Sequence, residues 1–156
     1  MKEEKVNTQY GGDCLAEGTM IEMVDGTCKR IEDIMIGDRI AAFNTNGDRC
    51  MPQVENIFRG FDKTALVVNE DDGRLIYLTA NHHIKTPSGI KSADELNCTK
   101  KEYLRIRLYN DRPPEAKIPV YSLELEEHGQ TGYWIVANGF LVSDWTMLCY
   151  MTDKCN

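Results

Sequence analysis

Cys14 follows Gly11-Gly12-Asp13 and opens the first apolar stretch of the chain, and Thr79-Ala80-Asn81-His82 sets a hydroxyl, an amide and an imidazole within four residues. A thiol yields thiolate near neutral pH and is an intrinsically strong nucleophile. An imidazole exchanges protons in the same range. Together these groups are suited to acyl transfer at a carbonyl, provided the fold brings them together. Metal binding is weakly supported. The six cysteines (Cys14, Cys28, Cys50, Cys98, Cys149 and Cys155) contain no CxxC pair, and His82, His83 and His128 lie far from them in sequence. A Cys14–His82 metal module is the residual possibility. Taken singly, Cys14 also reads as a small buried hydrophobe, and a Thr-x-x-His sequence arises often by chance.

The elements that must position these residues are short strands. Met20–Val24 and Cys28–Ile31 flank Asp25-Gly26, a hairpin turn pair. Glu32–Asp38 suits one helical turn ending at Gly37. Arg39–Phe43, Gln53–Gly60, Lys63–Asn69, Leu75–Thr79, Glu102–Leu108 and Val120–Leu125 have strand composition or alternation. Ile84–Thr86 and Gly89–Lys91 flank a turn, Ser92–Leu96 suits a helical turn, and Asn110–Pro119 reads as an exposed loop. Tyr133–Ala137 and Phe140–Val142 enclose Asn138-Gly139, a tight turn. The expected fold class is all-β and compact, with short helical turns.

The 156 residues correspond to one domain with short tails. Hydrophobic residues make up 42%, and at this length a core needs no disulfide frame. The formal charge of −7 argues against a nucleic-acid partner and against an anionic membrane surface. No apolar run is long enough to cross a membrane, and the opening MKEEKVNTQYGGD lacks the apolar stretch of a secretory signal. The expected setting is the cytoplasm, with the thiols mostly reduced, although a Cys149–Cys155 bridge stays open.

The order of particular residues goes further. Cys14-Leu15-Ala16-Glu17-Gly18-Thr19, then Asp25-Gly26, Ile31–Ile34 and Gly37-Asp38, resembles the first block of the Hint superfamily of inteins, bacterial intein-like domains and hedgehog autoprocessing domains. Leu78–His82 resembles its TxxH block, with Thr86, Gly89 and the Ala93–Leu96 turn following at the usual spacing. Pro119–Leu123 and Val136–Val142 resemble the last two blocks. The resemblance covers residues 14–144. It implies a flank at 1–13, a minimal horseshoe-like, pseudo-two-fold Hint domain without endonuclease at 14–144, and a second flank at 145–156.

The resemblance also implies roles. Cys14 attacks the carbonyl of Asp13 and turns the amide into a thioester; His82 protonates the departing Cys14 nitrogen; Thr79 orients or polarises the same peptide. Backbone N–H groups near Asn81 and His82 would hold the oxyanion. His83 reads as a bystander or as solvent-facing, and His128 as structural or exposed. Water, a small thiol or an amine would accept the acyl group, the chain's own N-terminal flank is the substrate, and the domain acts as a monomer without cofactor.

Several residues depart from the family pattern. Splicing inteins end in His-Asn before Cys, Ser or Thr, whereas this chain has Ser143-Asp144-Trp145. Asp144 stands at the position of the cleaving asparagine but has no side-chain amide nitrogen with which to attack its own carbonyl. Trp145 has no group to accept an acyl chain. Tyr133 replaces a frequent histidine, and Ser122 a frequent aspartate. Full splicing is therefore not expected, and N-terminal cleavage is the activity that remains. The alternative is an inactive Hint domain kept as a scaffold or interaction module.

Overall fold

Turn chemistry sets the local structure in the computed structural model, which describes residues 5–6, 14–87, 89–98, 106–109, 116–126 and 132–147. In chain order the strands are β1 (Lys5–Val6), β2 (Leu15–Ala16), β3 (Met20–Glu22), β4 (Cys28–Arg30), β5 (Ala42–Phe43), β6 (Arg49–Cys50), β7 (Val54–Asp62) and β8 (Ala65–Asn69). They continue with β9 (Leu75–Leu78), β10 (His83–Thr86), β11 (Gly89–Ser92), β12 (Ile106–Tyr109), β13 (Ile118–Leu125), β14 (Trp134–Ala137) and β15 (Phe140–Ser143). Asp25-Gly26 turns β3 into β4, with Gly26 at φ +87° and the Asp25 carboxylate accepting from Thr27 N–H. Asn138 and Gly139 both take positive φ between β14 and β15, the backbone a two-residue hairpin turn needs. The Asn138 side chain also accepts from Met20 N–H and donates to the Leu75 carbonyl, so one turn residue ties three segments together.

The strands form two mostly antiparallel sheets. One has the order β1-β7-β13-β2-β9-β8-β12. The other has the order β11-β10-β15-β14-β3-β4, with β5 joined to β14 and β6 to β5. Alternating residues of each strand turn inward: Ile76 and Leu78 of β9, Val67 of β8 and Ile135 of β14 are buried in one core cluster with Leu15, Ile21 and Leu123. Burying each such side chain contributes roughly 1.5–3 kcal/mol. β13 lies between β7 and β2, and its residues Val120–Leu123 are buried in succession, as expected of a strand covered on both faces.

The all-β expectation holds, with helical turns confined to short segments. The turn expected over Glu32–Asp38 is instead a 3₁₀ turn at Ile31–Asp33, followed by a separate turn closed by Asp38 N–H to the Met35 carbonyl. Residues 145–147 form a helical turn and also dock: Trp145 stacks on Phe58 at 4.7 Å between ring centroids, and Met147 is buried. Asp13, His128, Cys149, Cys155 and residues 110–115 lie outside the described residues; of the loop expected over Asn110–Pro119, Ile118 and Pro119 instead begin β13, paired with β7.

Candidate active site

Strand register places Thr79 opposite Cys14. Leu15 of β2 pairs with Leu78 of β9, and one further step along this antiparallel pair sets residue 14 against residue 79. The hydrogen bonds agree: Cys14 N–H donates to Thr79 Oγ1 at 2.9 Å, and Thr79 N–H donates to the Cys14 carbonyl at 3.0 Å. On the other side of β2, Tyr121 pairs with Leu15, so the same step sets Ser122 level with Cys14. Ser122 in turn pairs with Phe58 of β7. Directly opposed side chains in antiparallel strands share a face, so Thr79, Cys14, Ser122 and Phe58 form one row across the sheet.

His82 reaches this row from above. His82 N–H donates to the Thr79 carbonyl at 3.0 Å, closing a tight turn that reverses the chain after β9. The following strand, β10, pairs with β15 through Ile84 and Val142, which brings the C-terminal junction beside the ring. His82 Nε2 then donates to the Ser143 carbonyl at 2.9 Å. That bond assigns the tautomer, leaving Nδ1 as the lone-pair nitrogen of the neutral ring. Nδ1 is buried and has no hydrogen-bond partner among the described residues. Burial pushes the His82 pKa down to about 4, against an opposing pull from the Ser143 carbonyl; His83 lowers it further, and the Cys14 carbonyl raises it. At neutral pH the ring is uncharged.

The remaining sequence candidates divide. Asn81 sits half-buried in the turn between Thr79 and His82. His82 N–H, one of the two backbone amides expected to hold the oxyanion, is instead held by the Thr79 carbonyl. His83 is half-buried rather than solvent-facing, and its proximity to His82 gives it an electrostatic effect on that ring. Cys28 is exposed and Cys50 half-buried; both are thiols, as is Cys14. A Cys14–His82 metal pair finds no grouping of three or more His, Cys, Asp or Glu among the described residues.

Asp144 is buried, and its Oδ1 accepts from Met147 N–H at 2.8 Å and from Tyr133 N–H at 3.1 Å. The first bond is an N-cap on the helical turn at 145–147. Asp144→Ala is expected to cost about 1–3 kcal/mol, from the lost cap and a buried amide left unpaired. Asp144→Asn keeps an acceptor oxygen and should cost less. Urea unfolding midpoints of the two variants check this.

Thr79→Val is the corresponding test at the Cys14 peptide. It keeps the shape of the side chain and removes the oxygen that accepts Cys14 N–H. Any cleavage at that peptide should slow about tenfold to a hundredfold, and Thr79→Ser should recover most of it. Time courses of intact mass read both variants.

Sequence reasoning missed two participants. The Ser143 carbonyl is a main-chain group, and no side-chain pattern marks it. The Phe58–Trp145 stack joins residues far apart in sequence, and nothing local to either points to the other.

No family model matches this sequence, and no curated protein does. Solved structures do match. A DnaB intein from Synechocystis sp. PCC 6803 superposes with a TM-score of 0.64 at 22% identity, covering 84% of this chain and 97% of that one. A bacterial intein-like domain from Clostridium thermocellum gives 0.61 at 16% identity, over 85% and 98% of the two chains. The gp41-1 intein gives 0.55 at 18% identity, over 83% and 96%. Two antiparallel sheets that carry Cys14, Thr79 and His82 to one point, beside the carbonyl of Ser143, thus stand in a chain with the Hint fold of inteins and bacterial intein-like domains.

Proposed function

We propose that this chain is an intein-like autoprocessing domain that cuts itself between Asp13 and Cys14 and does not ligate its flanks. The observation that carries the reading is the hydrogen bond from Cys14 N–H to Thr79 Oγ1 beside the buried, neutral His82. The nitrogen of the bond to be broken is held by a side chain, and a proton carrier with a vacant lone pair lies next to it.

The neutral ring refines the role expected of His82. It has no spare proton at neutral pH, and its Nε2 proton is held by Ser143. Any proton it gives to the Cys14 nitrogen is one it has first accepted on Nδ1, and the Cys14 thiol is the source nearest in chemistry. The Cys14 thiolate then attacks the Asp13 carbonyl carbon. The C–N bond breaks, the Cys14 nitrogen takes the proton from His82, and a thioester remains. Water attacks that thioester, leaving the Asp13 carboxylate and the Cys14 thiol; a small thiol or an amine would leave a new thioester or amide. Burial of His82 favours the second of these proton transfers, to the Cys14 nitrogen, because a charged imidazolium is disfavoured there and passes its proton on, and it opposes the first for the same reason.

Nothing comparable supports cutting after Asp144, whose Oδ1 is held by two backbone amides. The same feature favours a second reading, in which the C-terminal junction is purely structural and the domain is a scaffold that has lost its chemistry. Intact-mass measurement over a day, with and without hydroxylamine or a small thiol, separates the two. A product beginning at Cys14, formed faster with nucleophile, supports cleavage. An unchanged mass under every condition supports the scaffold.

A further inference from the structure

The row that holds Cys14 continues beyond Phe58. Lys5 of β1 lies level with Phe58, and Val6 level with Arg59, in the parallel pairing of β1 with β7. Phe58 pairs with Ser122, and Ser122 lies level with Cys14 by the register of β13 and β2. A segment of the N-terminal flank is therefore seated in the same sheet, at the height of the thiol that follows that flank. Three interstrand steps separate the two positions, about 14 Å. The chain from Lys5 to Cys14 can reach roughly 30 Å, so the seat and the junction are compatible. A second observation points to the same place. Trp145, the first residue after Asp144, stacks on the Phe58 ring. Both flanks thus meet at one residue of β7, one through its backbone edge and the other through its side chain.

We propose that the Phe58–Arg59 stretch of β7 is a docking site for the N-terminal flank, which adds to the sheet as an edge strand, holds the Asp13–Cys14 junction near the thiol, and stays bound after that bond is cut. Main-chain pairing at a sheet edge is a general way to hold an extended peptide with little demand on its side chains. Here the peptide is the substrate itself. Pairing also covers part of an edge that would otherwise present its amides to other chains. The retention of the cut flank rests on the cleavage reading above, whereas the docking does not.

The test uses the full chain and a variant lacking residues 1–6, which removes both the donors and the carbonyls that β1 offers to β7. Amide hydrogen exchange in peptides covering residues 56–61 reads docking without any cleavage. The variant should exchange about tenfold faster there, with the buried strands β13 and β14 unchanged as the sign of an intact fold. Equal exchange in the two proteins would overturn the docking site. Native mass spectrometry after hydroxylamine treatment reads retention. The cut wild-type flank should stay with the body and the variant's should leave; immediate release from the wild type would overturn retention. A wild-type chain that never cuts, yet shows the exchange difference, would remove the cleavage reading and leave the docking site standing.

Discussion

Cys14→Ala is expected to leave the chain intact under conditions in which the wild type is cut at Asp13–Cys14. The reason is that neither hydroxyl beside Cys14 in the row matches a thiol as a nucleophile. Thr79 Oγ1 already accepts the Cys14 amide and lies on the nitrogen side of the bond to be broken. Ser122 is level with Cys14, but a serine hydroxyl is a far weaker nucleophile than a thiol without a base committed to it. Removing the attacking group from a self-cleaving site should lower the rate on the order of a thousandfold or more. Cys14→Ser distinguishes nucleophile from space-filler: it should retain a small, slow fraction of cutting and lose acceleration by added thiol. Intact mass with a day-long time course measures both. Cutting of the alanine variant at the wild-type rate would show that Cys14 is not the nucleophile.

His82→Gln carries the second large effect, and it has two separable readouts. As a proton carrier beside the Cys14 backbone, His82 should contribute about a hundredfold to ten-thousandfold to the rate of cutting. The second readout is stability. The folded His82 pKa of about 4 lies below the ordinary 6.5, so between those values the unfolded chain binds a proton that the folded one does not. Wild-type stability should therefore fall as pH falls through this window, by about 3 kcal/mol in all, and be unaffected by His82 above it. Urea unfolding at a series of pH values reads the slope. His82→Gln should flatten it while leaving other acid-sensitive groups in place. A variant that loses cutting yet keeps the slope would mean that another buried group sets the acid sensitivity.

Much of this protein is legible in its amino acids because the physics involved is local. Asp25-Gly26 and Asn138-Gly139 mark their hairpins through residues that tolerate positive φ, and the alternation in Leu75–Leu78 and Ala65–Asn69 marks strands half-facing a core. The chemical inventory was also local: a cysteine after a polar lead, and a threonine three residues before a histidine. Boundaries were less legible where long-range bonds fix them. The segment after Ile31 could have made one turn or two, and Asp38 decided for two by accepting from Met35 N–H.

Only the tertiary structure decided how these residues meet. Cys14 and Thr79 are 65 residues apart, and it is the register of β2 against β9 that sets one amide on the other's hydroxyl. The low pKa of His82 comes from burial and its tautomer from a carbonyl 61 residues away, neither of which a Thr-x-x-His pattern contains. Asp144 reads in sequence as a failed asparagine; in the fold it is the cap of a turn that lays Trp145 on Phe58. Side-chain chemistry is a property of residue type and survives in the sequence. Register, desolvation and main-chain partners arise from packing between distant segments, and they exist only once the sheets have closed around the site.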